Sequence, residues 1–266
     1  TPSATASTAP GLGYAEDIVT LLALAQYIRS LGYQAVACQN DTVLSIPLAI
    51  KAGLGEYGRH GMVITKDFGP RARFGTVLTD LPLAHDRPTA FGVAETCRLC
   101  RRCANNCPPQ AIDHGDPSDR LLNVSVIKGV RKWTTDPEKC FGFWVGQGTD
   151  CAICIRTCPY NKDFSKWYFR LGRFLLGTPL RRLILHLDDK LRLHDRQHPL
   201  KWWGGEPDGA RPENRPSITR FCRIGPRSSG WIERGRSLVL ARFRKERITT
   251  LADWKTGRLE VWVGMH

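Results

Sequence analysis

Eight of the chain's ten cysteines are crowded into two short runs, and nothing else in its 266 residues restricts the possible folds so strongly. The first run is Cys97-Arg-Leu-Cys100-Arg-Arg-Cys103-Ala-Asn-Asn-Cys107-Pro108. The second is Cys140, followed by Cys151-Ala-Ile-Cys154-Ile-Arg-Thr-Cys158-Pro159. Three thiols with two residues between them share one tight turn and can face a common point. The fourth must serve another point, and the proline after it turns the chain away. A disulfide framework suits short secreted chains, whereas a chain of this length buries a core without staples. Zinc usually takes two C-x2-C pairs, not C-x2-C-x2-C-x3-C-P.

The spacing is that of iron–sulfur ligands in two-cluster ferredoxins, in which the fourth cysteine of each run ligates the other cluster. It predicts two [4Fe–4S] clusters with exchanged ligands. Cys97, Cys100, Cys103 and Cys158 hold one. Cys140, Cys151, Cys154 and Cys107 hold the other. Cys38 and Cys222 have no partners at metal spacing and read as small buried residues. Arg98, Arg101 and Arg102 border the first run, and cations near an anionic four-thiolate cubane stabilise it and raise its potential.

The remaining composition is ordinary for a globular protein, 42% hydrophobic and 24% charged. No run of apolar residues is long enough to cross a bilayer. The chain opens Thr-Pro-Ser-Ala, without an initiator Met or a twin-arginine leader, and reads as a mature or truncated fragment. Net charge is +14, but it is spread out: residues 206–266 carry 11 Arg and 2 Lys against 7 acids. No compact basic block occurs, so the charge does not point to nucleic acid.

Along the chain, Ile18, Leu21, Leu22, Ala25 and Ile28 form a helical stripe within residues 14–31, with Gly32 as the stop. Residues 34–38, 62–65 and 73–79 read as strands. Residues 45–52 read as a short helix with Pro47 in its first turn. Residues 164–176 and 179–194 read as amphipathic helices. The expected fold is α+β: an α/β core over 1–88, a ferredoxin-like two-cluster region over 89–165, helices returning to the core over 166–204, and an unassigned basic tail over 205–266. The run Gly53-Leu-Gly-Glu-Tyr-Gly-Arg-His-Gly61 is a glycine-rich loop. Its G-x-G-x-x-G follows a helix, so it is not the phosphate-binding fingerprint. His60 and His186 have no companions at metal spacing and read as structural.

Several segments taken together resemble the corrinoid-dependent reductive dehalogenases over about residues 10–203. They are Asn40-Asp-Thr-Val-Leu-Ser-Ile-Pro47, the glycine-rich loop, Phe68-Gly-Pro-Arg-Ala-Arg73, Thr79-Asp-Leu-Pro82, the two cysteine runs, and Lys201-Trp-Trp203. The resemblance implies a partial nitroreductase-like core and a base-off cobalamin-type corrinoid between that core and the clusters. No Asp-x-His-x-x-Gly ligand motif is present; Asp195 and His198 are spaced one residue too far. It implies Tyr14 as proton donor, Arg73 beside it, and Asn40 as the polar group orienting substrate or halide. An arginine stabilises a neighbouring phenolate and so eases release of its proton. Gly53, Gly55, Gly58 and Gly61 would let backbone approach the flat ring, and Trp144 would line an apolar pocket. Read without the resemblance, Tyr14 is an interface aromatic, Asn40 a turn or cap residue, Arg73 an ion-pair member and Trp144 a core residue.

The implied reaction is two-electron, one-proton cleavage of a carbon–halogen bond in anaerobic organohalide respiration. The implied partners are a small organohalide, an external electron donor and a small membrane-anchor protein. The implied location is the outer face of the cytoplasmic membrane, reached folded by the twin-arginine route. Two other readings compete: an epoxyqueuosine-reductase-like corrinoid enzyme acting on tRNA, and a plain two-cluster electron carrier.

Overall fold

The computed structural model describes residues 4–39, 42–195 and 260–265, with side chains for 8–39 and 42–195. Asn40, Lys201-Trp202-Trp203, His198 and Cys222 lie outside the described residues.

Helix α1 spans Ala4–Ser30. It begins ten residues before the expected start, through a segment rich in alanine, the best helix former, so Tyr14 lies inside the helix and not at its end. Gly32, at φ +92°, stops it as expected. Strand β1 is Ala35–Cys38 and β4 is Phe74–Thr79. Leu21, Ala25 and Ile28 pack on Ala35 and Val77 of these strands. Ile18 and Leu22 of the expected stripe are exposed, whereas Asp17 is buried. The buried row is 17–21–25–28, and Ile18 and Leu22 sit about 100° round the helix from it.

β1 pairs antiparallel with β4, with Val36 opposite Leu78. The other edge of β4 pairs antiparallel with β5, Glu260–Met265. The end of the basic tail, which had no expected place, thus supplies the third strand in the order β1-β4-β5. Helix α2 (Ser45–Lys51) holds Pro47 in its first turn. A hairpin that the pattern did not suggest, β2 (Gly55–Tyr57) with β3 (Val63–Thr65), is built from the glycine-rich loop. Every described strand pair is antiparallel, which agrees with the expected α+β class and gives the layer before the clusters that character rather than α/β.

The cluster region contains α3 (Val93–Cys100), α4 (Arg102–Asn105), α5 (Pro137–Gln147) and α6 (Ile153–Arg156). Helices α7 (Trp167–Leu176) and α8 (Arg181–Lys190) follow. One core joins α3, α7, α8 and the segments around Trp133 and Tyr160 to the hairpin: Ile64, Val93, Cys97, Trp133, Cys158, Tyr160, Leu176 and Leu185. Polar anchors reinforce the join. Glu56 of β2 caps α3, its carboxylate accepting from the backbone N–H groups of Phe91, Gly92 and Val93. A carboxylate suits a helix N-terminus, where donors are orphaned and the dipole is positive. On the far side, buried Arg102 pairs with Asp188 and, at 2.7 Å, with Asp189. Lys162 reaches the same Asp188 at 2.8 Å.

The turn before β4 touches the cluster region so closely that one residue type fits. Gly69 has φ +59°, and a Cβ there would lie 2.0 Å from the Tyr160 carbonyl oxygen. Tyr160 is held in turn by its hydroxyl contact with Thr96 at 3.2 Å. Gly69→Ala is expected to destabilise the protein by about 1–3 kcal/mol, through overpacking and an unfavourable backbone region. Denaturant unfolding followed by circular dichroism measures it, and an unchanged midpoint would show that this contact relaxes freely.

Candidate functional site

The cysteine runs lie where short helices and left-handed turns alternate. Cys97 and Cys100 lie on α3. Arg101, at φ 47°, breaks the helix and lets α4 bring Cys103 back towards them. The second run repeats the plan, with Cys154 on α6 and Cys151 just before it. Cys140 comes from α5, whose start is fixed by the Asp136 carboxylate accepting from the Glu138 and Lys139 amides, each at 3.1 Å.

Cys97, Cys100, Cys103 and Cys158 all line one cavity. The acidity of Cys158 is suppressed first by complete burial, and then by Cys97, Cys100 and Cys103. Cys154 behaves likewise: burial pushes its thiol up to about 12, with further pressure from Cys151, Cys140 and Cys107. The four thiols of each expected set therefore lie together in the fold. Charge on Cys154 also raises Cys103, so the two groups of four are neighbours. Among the described residues no three His, Cys, Asp or Glu side chains converge as a single metal ion requires. Thiolates held apart by a four-iron cube need no such convergence. The residues present fit two cubanes.

The basic residues of the first run divide unequally. Arg102 is neutralised by Asp188 and Asp189. Arg59, which the pattern did not single out, is 1% exposed and meets no carboxylate among the described ion pairs. Its Nε donates to the Cys97 carbonyl at 3.0 Å. Its Nη1 donates to the carbonyls of Asp113 at 2.7 Å and Gly115 at 2.8 Å. Desolvation pulls its pKa down, and the charges of Cys103 and Cys97 oppose that. The only sequence signal for Arg59 is its place in a loop whose glycines bring it inward.

Those glycines have reasons inside the fold. A Cβ at Gly53 would lie 2.5 Å from the Arg87 carbonyl oxygen, and one at Gly55 2.3 Å from that of Ile64. One at Gly58 would meet His60, and one at Gly61 would meet Thr135 at 3.1 Å. Approach to a ring is not needed to explain them. Trp144 lies on α5, one turn after Cys140, with its indole N–H buried and without a partner; Phe141 is its aromatic neighbour at 6.4 Å.

At the other end of the sheet, Tyr14 and Arg73 meet. The Arg73 guanidinium carbon lies 3.5 Å from the centre of the Tyr14 ring. α1 packs across β1 and β4, and Arg73 immediately precedes β4, so the sheet itself sets this pair. Gln39, just after β1, donates to the Tyr14 carbonyl at 3.4 Å. The Tyr14 side chain is 40% exposed.

The sequence matches the 4Fe-4S dicluster domain family over residues 96–162. It is 38% identical over 219 residues to a tetrachloroethene reductive dehalogenase of Desulfitobacterium hafniense, a match covering 80% of this chain and 37% of that protein. Over 219 residues the chain is a homologue of the reductive dehalogenases. It therefore spans little more than a third of the length of such relatives. The solved structure of the catabolic reductive dehalogenase NpRdhA superposes with a TM-score of 0.59 at 33% identity, covering 65% of this chain and 25% of that one. An epoxyqueuosine reductase of Atelocyanobacterium thalassa matches a shorter stretch, 35% identical over 118 residues, 44% of this chain and 37% of that protein.

The exchanged ligands give a direct test. Cys107→Ala should destroy the cluster held by Cys140, Cys151 and Cys154, although Cys107 belongs to the first run. Cys158→Ala should destroy the other. Each variant should retain about four of about eight irons, and the surviving electron paramagnetic resonance signals should differ between the two. Identical surviving signals would mean that the ligands are not exchanged.

Proposed function

We propose that the chain is part of a reductive dehalogenase, converting an organohalide, two electrons and one proton into the dehalogenated product and a halide ion. The observation that carries this is the Tyr14–Arg73 pair, an acid stacked on a fixed positive charge, in a dehalogenase homologue that also holds eight cluster thiolates. A matching structure was described as suggesting a mechanism for B12-dependent dehalogenation, and a corrinoid is the partner cofactor we assign here. The described residues fit such a group in chemistry. Tyr14, Ile18 and Leu22 recur every fourth residue on α1 and are exposed, presenting one acid and an apolar face. When bound, a corrinoid supplies the low-valent cobalt at which a carbon–halogen bond breaks.

The chain's own residues divide the remaining work. Eight of its ten cysteines hold the clusters through which electrons pass. Tyr14 gives its hydroxyl proton to the carbon that loses halogen. Arg73 faces the ring on which the phenolate charge is left. Asn40 orients substrate or departing halide, the glycine-rich loop borders the ring in a nitroreductase-like core, and Trp144 adds an apolar wall. The same reading gives the protein an external electron donor and a small membrane partner on the outer face of the cytoplasmic membrane, after export by the twin-arginine route. Among the described residues no helix is long and apolar enough to cross a membrane. The longer dehalogenase match favours this reading over an epoxyqueuosine reductase.

Metal analysis of anaerobically reconstituted protein should give about one cobalt to about eight irons. In Tyr14→Phe, halide release should fall by about 100-fold or more with metal content unchanged. Full halide release in that variant would remove Tyr14 from the mechanism. Iron without cobalt would leave a plain electron carrier.

A further inference from the structure

The cavity ringed by Cys97, Cys100, Cys103 and Cys158 is also lined by Arg59 and His60. Both side chains are more than nine-tenths buried, Arg59 at 1% and His60 at 5% exposure. Arg59 donates from Nε and Nη1 to three backbone carbonyls. Its guanidinium is further held 5.0 Å over the Trp133 ring. Its Nη2 has no partner. His60 Nδ1 accepts from the Met62 amide at 3.2 Å, which leaves the ring proton on Nε2. That Nε2 also has no partner. Two buried N–H donors, fixed by their other contacts, therefore share one cavity with four cluster ligands and lack acceptors. Native proteins rarely leave buried donors unpaired, and the sulfurs of a cubane are acceptors.

We propose that Arg59 Nη2 and His60 Nε2 donate hydrogen bonds to sulfurs of the cluster held by Cys97, Cys100, Cys103 and Cys158, and so raise its reduction potential. Reduction adds negative charge to an already anionic cube. A donor stabilises the reduced form more than the oxidised form, and a buried cation does so more strongly. Arg102 cannot take this part, because Asp188 and Asp189 already balance it. Arg59 is held at the Cys97 carbonyl, so its charge keeps a fixed position beside the ligand turn. The inference rests on the two-cluster reading and not on dehalogenation.

Redox titration of the reconstituted full chain, followed by electron paramagnetic resonance, tests it. Arg59→Met should make reduction of one cluster at least tenfold less favourable, about 59 mV for a one-electron couple, and leave the other in place. His60→Phe should shift the same cluster in the same direction by less. Arg59→Lys and His60→Gln, which retain charge or a donor, should recover part of each shift. Potentials that do not move, or that move together in both clusters, overturn the proposal. Pulsed resonance on the unsubstituted protein, reduced and labelled with 15N-arginine and 15N-histidine, needs no variant to fold. Side-chain nitrogen couplings to one cluster support the proposal, and their absence overturns it. Protein that binds no iron overturns it together with the two-cluster reading.

Discussion

Each group of four thiols takes its last member from the other run, so neither half of the cluster region closes alone. Cys158 belongs with Cys97, Cys100 and Cys103, and Cys107 with Cys140, Cys151 and Cys154. The segment from 97 to 158 must then fold back so that its ends meet. The minor bridges Ile112–Thr135 and Ser118–Lys132 close the loop between the runs. Cysteines contribute to the buried packing of both groups. Five of the residues around the second group are Cys103, Ala104, Cys107, Ala111 and Ile112. Metal binding and folding of this region are one event on that account.

The rest of the described chain is arranged to hold this region from two sides. On one side is the glycine-rich hairpin. Its Glu56 caps the helix bearing Cys97 and Cys100, its Arg59 binds the Cys97 carbonyl, and its Ile64 enters the common core. On the other side is α8, whose Asp188 gathers Arg102 and Lys162. A buried triad of this kind gives little net stability, because desolvation offsets attraction. Removing one member would strand the others, so the triad fixes which surface of α8 faces the clusters.

The ligands of the clusters were legible because thiolate spacing is a local property: a turn of fixed size sets it. About half of the helices and strands were legible for a similar reason, since β1, α2, β3, β4, α7 and α8 follow the apolar pattern to within four residues at their ends. What the pattern missed depends on distant contacts. β2 is too short and too rich in glycine to read as a strand, and exists because β3 pairs with it. β5 needs the free edge of β4. Ile18 and Leu22 looked like core, but the row that meets the sheet includes Asp17 instead. Arg59 was invisible because arginine in a polar loop is expected on the surface. Its burial follows from three carbonyl acceptors that lie 38 to 56 residues away in sequence.

The Tyr14–Arg73 pair shows how such a fold can place chemistry on ordinary elements. The Arg73 guanidinium lies on the face of the Tyr14 ring. The positive charge bears on the whole conjugated ring, over which a phenolate spreads its charge. A carboxylate in place of Tyr14 would pair directly with Arg73 and be held as an anion, with no proton to give. A lysine in place of Arg73 would lose the planar stack that fixes the distance. The start of the central strand of an antiparallel sheet, crossed by a single helix, is enough to keep a phenol and a cation in register. The cluster thiols stand on other elements, so the Tyr14–Arg73 pair and the clusters can be altered one at a time.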